Sequence, residues 1–280
     1  MPELPEVEIT RSGLLPLLNQ TVKKVVIRNG SMRWPIPEHL PQTLLNQKLL
    51  GLRRRAKYIL ADFGAASSDE VVKSGTLMLH LGMSGSISLL DRYYPPEKHD
   101  HFDIEFNNCQ VLRLRDPRRF GAVLWAGLEP NNHALLSALG PEPLEDAFNA
   151  KYLYGELHTR SAAIKAAIMD SHLVVGVGNI YASESLFRAR IHPETPAKHL
   201  SLIQCEKLVT EIKATLIDAL NAGGSSLRDF FGTDGSPGYF QQEYFAYGRT
   251  DEPCKVCSKP IKCIRLGQRS TFFCSHCQKY

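Results

Sequence analysis

The stretch Gly127–Asp146, GLEPNNHALLSALGPEPLED, decides how this chain is divided. It holds Pro130, Gly140, Pro141 and Pro143 and shows little hydrophobic periodicity, so it reads as a hinge or linker. Before it, apolar residues recur with a period of two. After it, the period is about 3.6. The upstream part predicts short strands at Val22–Arg28, Leu52–Phe63, Thr76–Leu81, Ser86–Leu90, Phe102–Phe106, Val111–Arg115 and Ala122–Trp125, with Asn107 and Asn108 turning a hairpin. An opening helix is expected from Glu3 to Leu18, and Gly64–Gly75 (GAASSDEVVKSG) has the composition of a loop. Downstream, Leu202, Cys205, Leu208, Val209, Ile212, Leu216, Ala219 and Leu220 fall on one helical face. Ser201 and Gln204 form a capping box ahead of that helix, and Gly223–Gly224 stop it.

These signals predict an α+β protein: an N-terminal β-sandwich domain over 1–130, a linker over 131–145, a helical domain over 146–248 and a cysteine-bearing tail over 249–280. The chain has 280 residues, enough for two ordinary domains, and no apolar run approaches the roughly 18 residues of a membrane span. The start, MPELPEVE, carries three glutamates where a secretory signal has positive charge and an apolar stretch, which predicts a cytoplasmic protein with reduced thiols.

Four of the seven cysteines stand as Cys254-x-x-Cys257 and Cys274-x-x-Cys277, with sixteen residues between the pairs. Each pair sets two thiolates on one tight knuckle, and two knuckles complete a tetrahedron, the pattern of a four-cysteine zinc ribbon. Two disulfides or a redox pair are the alternatives, and a reducing compartment and the lack of a βαβ context speak against them. With all four positions filled by protein, the expected Zn2+ is structural. Cys109, Cys205 and Cys263 have no paired spacing and read as core or incidental thiols.

Charge points to an anionic partner. The last thirty residues hold six cations (Lys255, Lys259, Lys262, Arg265, Arg269, Lys279) and two acids (Asp251, Glu252), so their excess of four equals the net +4 of the whole chain. A basic tail on an otherwise neutral protein suits nucleic acid.

On its own, PELPEVE is a good helix start, with proline in the first turn and carboxylates at the positive end of the dipole. Removal of Met1 would also expose a secondary amine, and an α-amino group with a pKa near 8 is partly neutral at pH 7 and therefore nucleophilic.

Taken in order, MPELPEVE, Lys57-Tyr-Ile-Leu, His80-Leu-Gly-Met-Ser-Gly85, Glu97-Lys-His-Asp100, Asp116-Pro-Arg-Arg-Phe-Gly121, Val175-Gly-Val-Gly-Asn-Ile-Tyr-Ala-Ser-Glu184 and the cysteine ribbon resemble formamidopyrimidine-DNA glycosylase over the length of the chain. The resemblance implies a bifunctional glycosylase and lyase that removes 8-oxoguanine and formamidopyrimidines from double-stranded DNA. It implies Pro2 as nucleophile, Glu3 as general acid, Lys57 and Arg269 as proton donors for β- and δ-elimination, and Glu6 as a residue that positions the N-terminus or the lesion. Met83, Arg118 and Phe120 would enter the helix in place of the extruded base. His99, Arg160 and Asn179 would contact phosphates, although Ser161 departs from the basic run that many relatives keep after Arg160. Leu173–Arg188 would form a helix-two-turn-helix, and Gly223–Phe240 would cover the lesion. The sister family, endonuclease VIII, shares the proline and the ribbon, but the Met83, Arg118 and Phe120 set and the PELPEVE start favour the purine branch. The competing class is a non-catalytic zinc-dependent DNA-binding or damage-sensing protein, which would need no free Pro2, no acid at position 3 and no Lys57. No protein partner and no membrane role are implied, and a monomer is the expected state.

Overall fold

The computed structural model describes residues 2–66, 71–225, 233 and 243–280. The chain forms two compact units, one from Met1–Ser137 with Gly223–Tyr239 and the other from Ala138–Ala222 with Phe240–Tyr280.

In the first unit, helix α1 (Leu4–Gly13) is followed by strand β1 (Val22–Ile27), a short helix α2 (Leu40–Leu44) and strands β2 (Lys48–Arg55), β3 (Tyr58–Ala66), β4 (Val71–His80), β5 (Ser86–Leu90), β6 (Asp100–Phe106), β7 (Val111–Arg115) and β8 (Ala122–Trp125), with α3 (Ala134–Ser137) at its end. The strands make two antiparallel four-stranded sheets, ordered β1-β6-β7-β5 and β2-β3-β4-β8. Alternation puts Phe102, Ile104, Phe106, Leu112 and Leu114 of one sheet in a common core with Ile59, Ala61, Phe63, Leu77 and Leu79 of the other. Each such large apolar side chain contributes about 1.5–3 kcal/mol on burial. The expected sandwich is therefore present.

Three expectations need correction. Leu52–Phe63 is not one strand but the facing halves of a hairpin, because the chain reverses at Ala56 and Lys57, with Ala56 in the left-handed region at φ 54°. Lys57 accordingly stands in the turn and not on a strand. The loop expected over 64–75 is strand at both ends, since Gly64 pairs with Lys73 and Ala65 with Val72; residues 67–70 lie outside the described set. The opening helix ends at Gly13, and Leu15–Leu17 continue as a single tight turn of a different pitch around Pro16.

The second unit contains α4 (Ala150–Leu157), α5 (Ile164–Ile168), α6 (Asn179–Ala189) and α7 (Leu202–Asn221), then a hairpin of β9 (Lys262–Leu266) and β10 (Arg269–Phe273). Helix α7 starts where the sequence predicts: Ser201 accepts the Gln204 N–H, and the Gln204 side chain accepts the Ser201 N–H at 2.9 Å. Helix α6 follows Gly176, whose φ of 79° excludes most side chains, and Asn179 is its first residue as expected. Among the described residues no helix is long and apolar enough to cross a membrane.

Candidate functional site

The predicted site residues fall into two groups, one on each unit. On the first unit, Pro2 and Glu3 are buried immediately ahead of α1, with Glu3 2% exposed. The Glu3 N–H donates to Glu6 Oε2 at 2.8 Å, so the carboxylate of α1's first turn satisfies a backbone donor that the helix start leaves over. The other oxygen of Glu6, Oε1, accepts both the backbone N–H and the hydroxyl of Ser225 at 2.9 Å. Glu6 is fully buried and thus joins the N-terminal segment to Ser225, which follows two glycines with φ of 74° and 80°. Apart from Gly223, Gly224, Ser225 and Thr233, the expected lesion-covering segment 223–240 lies outside the described residues.

Lys57, in the β2–β3 turn, acts electrostatically on His80 at the end of β4. Burial, then the cations of Lys57 and Arg33, lower the His80 pKa to about 4, so the ring is neutral at pH 7. His80 Nδ1 lies 3.0 Å from the Gly82 N–H and must accept it, which leaves Nε2 carrying the proton. Tyr58 packs against His80 with ring centroids 4.7 Å apart. Sequence reasoning sets His80 in a motif but assigns it no role. Its relation to Lys57 depends on the β3–β4 pairing, Tyr58 opposite His80, which no local pattern discloses.

Met83, Arg118 and Phe120 come from two turns that one carboxylate fastens together. Asp116 is fully buried. Its Oδ1 accepts the Ser84 hydroxyl at 2.9 Å and the Arg118 N–H at 3.2 Å, and its Oδ2 accepts the Gly121 N–H at 2.8 Å. Gly82 has φ of 64°, and a Cβ there would run into the backbone of Phe120 and Gly121, so the turns touch because the residue is glycine. The result presents Met83 half-buried beside a 42% exposed Phe120, over whose ring the Arg118 guanidinium lies at 4.8 Å. A recess of about 370 Å³ opens there between Ser31, Met32, Arg33, Arg118, Arg119 and Phe120. His99 adjoins the same turn through its carbonyl, which accepts the Asp116 N–H at 3.0 Å.

On the second unit, Lys165 of α5 is 1% exposed, and nothing in its sequence context singles it out. Its Nζ donates to Asn179 Oδ1 at 2.7 Å, Thr271 Oγ1 at 2.8 Å and the Ser270 carbonyl at 3.2 Å. Asn179 Nδ2 also donates to the Ser270 carbonyl, at 3.1 Å. Arg269, the exposed residue just before Ser270, is thereby brought near the start of α6. Glu184, fully buried, is a second residue that sequence reasoning missed. Its carboxylate accepts the backbone N–H groups of Phe245, Ala246 and Tyr247 at 2.7–2.9 Å; burial still pushes its pKa up against these bonds. Arg160 pairs with Asp170 at 2.7 Å; against the upward push of burial, hydrogen bonds from His172 and Arg160 hold Asp170 at about 2.

The four ribbon cysteines converge, with all four Sγ atoms within 4.8 Å of one another. Cys254 and Cys277 are 3.9 Å apart at Sγ, and Cys257 and Cys274 are 3.4 Å apart. A tetrahedron with zinc–sulfur bonds of about 2.3 Å has edges of about 3.8 Å, so the donor set fits one structural zinc ion. Of the other cysteines, Cys205 is buried, which raises its thiol pKa to about 11, whereas Cys109 and Cys263 are exposed.

Comparison with known proteins agrees with this arrangement. Residues 1–123 match the formamidopyrimidine-DNA glycosylase N-terminal domain, 139–231 its H2TH domain, and 251–279 a zinc finger found in FPG and IleRS. The formamidopyrimidine-DNA glycosylase of Methylobacillus flagellatus is 64% identical over 279 residues, covering 100% of this chain and 97% of the relative. That of Escherichia coli O6:H1 is 50% identical over the full length of both. Among solved structures, the MutM (FPG) protein of Thermus thermophilus superposes with a TM-score of 0.86 at 33% identity over 99% of this chain and 98% of its own. Wild-type Lactococcus lactis Fpg in complex with DNA containing N7-benzyl-Fapy-dG gives 0.89 at 32% identity, with full coverage of both chains. The chain belongs to the formamidopyrimidine-DNA glycosylase family and is a DNA glycosylase of base-excision repair.

Proposed function

We propose that the protein excises oxidised purines, 8-oxoguanine and formamidopyrimidines, from duplex DNA and then cleaves the strand as a lyase, with Pro2 as the nucleophile. The observation that carries this reading is the burial of Pro2 and Glu3 with the Glu3 N–H bonded to Glu6, which sets the Pro2 nitrogen, an amine once Met1 is removed, next in the chain to a carboxyl at the start of a helix. Relatives solved with lesion-bearing and abasic-site DNA support duplex DNA as the partner.

A base inside the stack is out of reach, so the damaged nucleotide must be extruded, at a cost of a few kcal/mol. Met83, Arg118 and Phe120 suit the vacancy: an apolar wedge, a donor for the unpaired base opposite, and an aromatic ring for the neighbouring pair. The Pro2 nitrogen attacks C1′ and forms a C–N bond as the base departs with the electrons of its glycosidic bond, and the proton released by the attacking nitrogen passes to the departing base. Glu3 donates a proton to the sugar ring oxygen as the C1′–O bond breaks. Because Pro2 is a secondary amine, the adduct is an iminium that bears its charge without protonation. That charge acidifies the C2′ proton, and its loss expels the 3′ phosphate; a second elimination at the other side expels the 5′ phosphate. Lys57 and Arg269 serve these two steps as proton donors. His99, Arg160 and Asn179 hold phosphates, and Glu6 positions the N-terminus. A single zinc ion holds the two knuckles of the ribbon, and the protein works as a monomer in the bacterial cytoplasm, where thiols stay reduced.

Incubating the protein with 8-oxoguanine duplex and borohydride tests this directly. A covalent protein–DNA adduct is expected, lost in Pro2→Gly. Binding without an adduct in processed, zinc-loaded protein would overturn the enzyme reading in favour of a non-catalytic damage binder.

A further inference from the structure

Five of the six cations of the last thirty residues separate into two ends of the ribbon. Arg269 and Arg265 stand by the β9–β10 turn, where Leu266 pairs with Arg269 and Arg265 bonds Gln268. Lys255 lies over the Phe245 ring at 5.4 Å. The remaining three, Lys259, Lys262 and Lys279, gather at the opposite end. There they line a recess of about 300 Å³ with Pro260, Ser275 and His276. Lys262 pairs with Phe273 at the far end of the hairpin, four residues from the Leu266–Arg269 pair, a separation of about 13 Å at the usual rise per strand residue.

The recess is walled by both metal knuckles. Lys259 follows Cys257, and its carbonyl accepts the Cys254 N–H at 2.8 Å. Ser275 and His276 lie between Cys274 and Cys277. The ammonium of Lys279 donates to the Ser275 carbonyl at 3.2 Å, which turns this long side chain back toward the recess. Among the described residues none of the three lysines forms an ion pair, and Glu252 of the same segment is taken up by Arg249 at 2.8 Å. Three uncompensated charges around a recess with room for more than one phosphate group favour a polyanion, and the zinc ion would give them a fixed spacing.

We propose that this knuckle-end recess, lined by Lys259, Lys262 and Lys279, is a second binding site for the phosphodiester backbone of DNA, separate from the residues at the Arg269 end. The proposal rests on the DNA-glycosylase reading above. Its phosphates come either from the flanks of the lesion-bearing duplex or from a second duplex, which the site would bring to the same enzyme molecule.

The test uses full-length, zinc-loaded protein and Lys259→Gln/Lys262→Gln/Lys279→Gln, which removes exposed charge and alters none of the residues assigned to chemistry. On a long undamaged duplex, the slope of log affinity against log salt should flatten by about 0.9 for each phosphate that is no longer neutralised, one to three in all. Single-turnover excision on a short lesion duplex should be unchanged, which shows that fold and glycosylase site are intact. If the phosphates belong to the flanks, the weakening grows with the length of one duplex. If they belong to a second duplex, the wild type binds two short duplexes and the variant one. A wild-type slope in the variant overturns the proposal, as does an equal flattening in a control lacking Lys23, Lys24 and Lys207, which would reduce the effect to net charge. Failure of excision by the wild type would instead count against the glycosylase reading.

Discussion

Glu6 and Ser225 are 219 residues apart in the chain, yet one oxygen of the buried carboxylate accepts both the N–H and the hydroxyl of the serine. The other oxygen holds the backbone of Glu3. Each of these bonds comes to Glu6 from a donor, so an amide in its place turns at least one of them from attraction to repulsion. Glu6→Gln should destabilise the first unit by about 1–3 kcal/mol, because a buried donor is left without an acceptor. Thermal unfolding and single-turnover excision check this together: both should fall in Glu6→Gln, and Ser225→Ala should show the milder effect.

His80 gives a pH dependence with a definite sign. Its folded pKa of about 4 lies below the ordinary 6.5, so between these values the unfolded chain binds more protons than the native one. Its neutral form therefore supports the fold fully above pH 6.5, and that support is lost as pH falls toward 4. Urea midpoints of wild type and His80→Gln should run parallel above about pH 7 and converge through this window. Parallel curves across the whole range would show that His80 is not held neutral.

Lys165 should govern how the ribbon is seated on its helices. Lys165→Met removes one ammonium and leaves Asn179 Oδ1, Thr271 Oγ1 and the Ser270 carbonyl short of a donor. The β9–β10 hairpin should exchange its amide hydrogens faster, by roughly tenfold for each 1.4 kcal/mol of local destabilisation. Lesion-duplex affinity should weaken in parallel. Lys165→Arg should restore part of both.

Zinc removal should act on binding before chemistry. Chelation frees four thiols and unfastens both knuckles, which is the unfolding expected of small metal-held modules. The β9–β10 hairpin should lose protection and DNA affinity should fall, while the β-sandwich unfolds at its former temperature. Calorimetry with and without chelator separates the two transitions, and an unchanged affinity in metal-free protein would contradict the role given to the ribbon.

Much of this architecture is legible in the residues, and the exceptions have physical causes. Val111–Arg115 and Ala122–Trp125 are strands to the residue, and the Ser201–Gln204 cap forms as written, because these are local signals. The turn at Ala56–Lys57 is hidden because no glycine, proline or asparagine marks it, and the left-handed conformation falls on an alanine inside a continuous apolar and basic run. Glycine and serine in the 64–75 stretch suggest a loop where cross-strand pairing in fact extends β3 and β4. Asp116, Glu184 and Lys165 share a further cause. Each collects donors or acceptors from segments distant in sequence, so its role exists only once the chain has folded.

The place of Pro2 and Glu3 at the head of α1 ties activity to the maturation of the chain. Under the proposed mechanism, Met1 must be removed before the Pro2 nitrogen can attack. A chain that folds untrimmed would keep its ribbon and its Met83, Arg118 and Phe120 wedge but lack a nucleophile. It would occupy lesions without repairing them, so incomplete maturation would produce a competitor of the active enzyme as well as an inactive one.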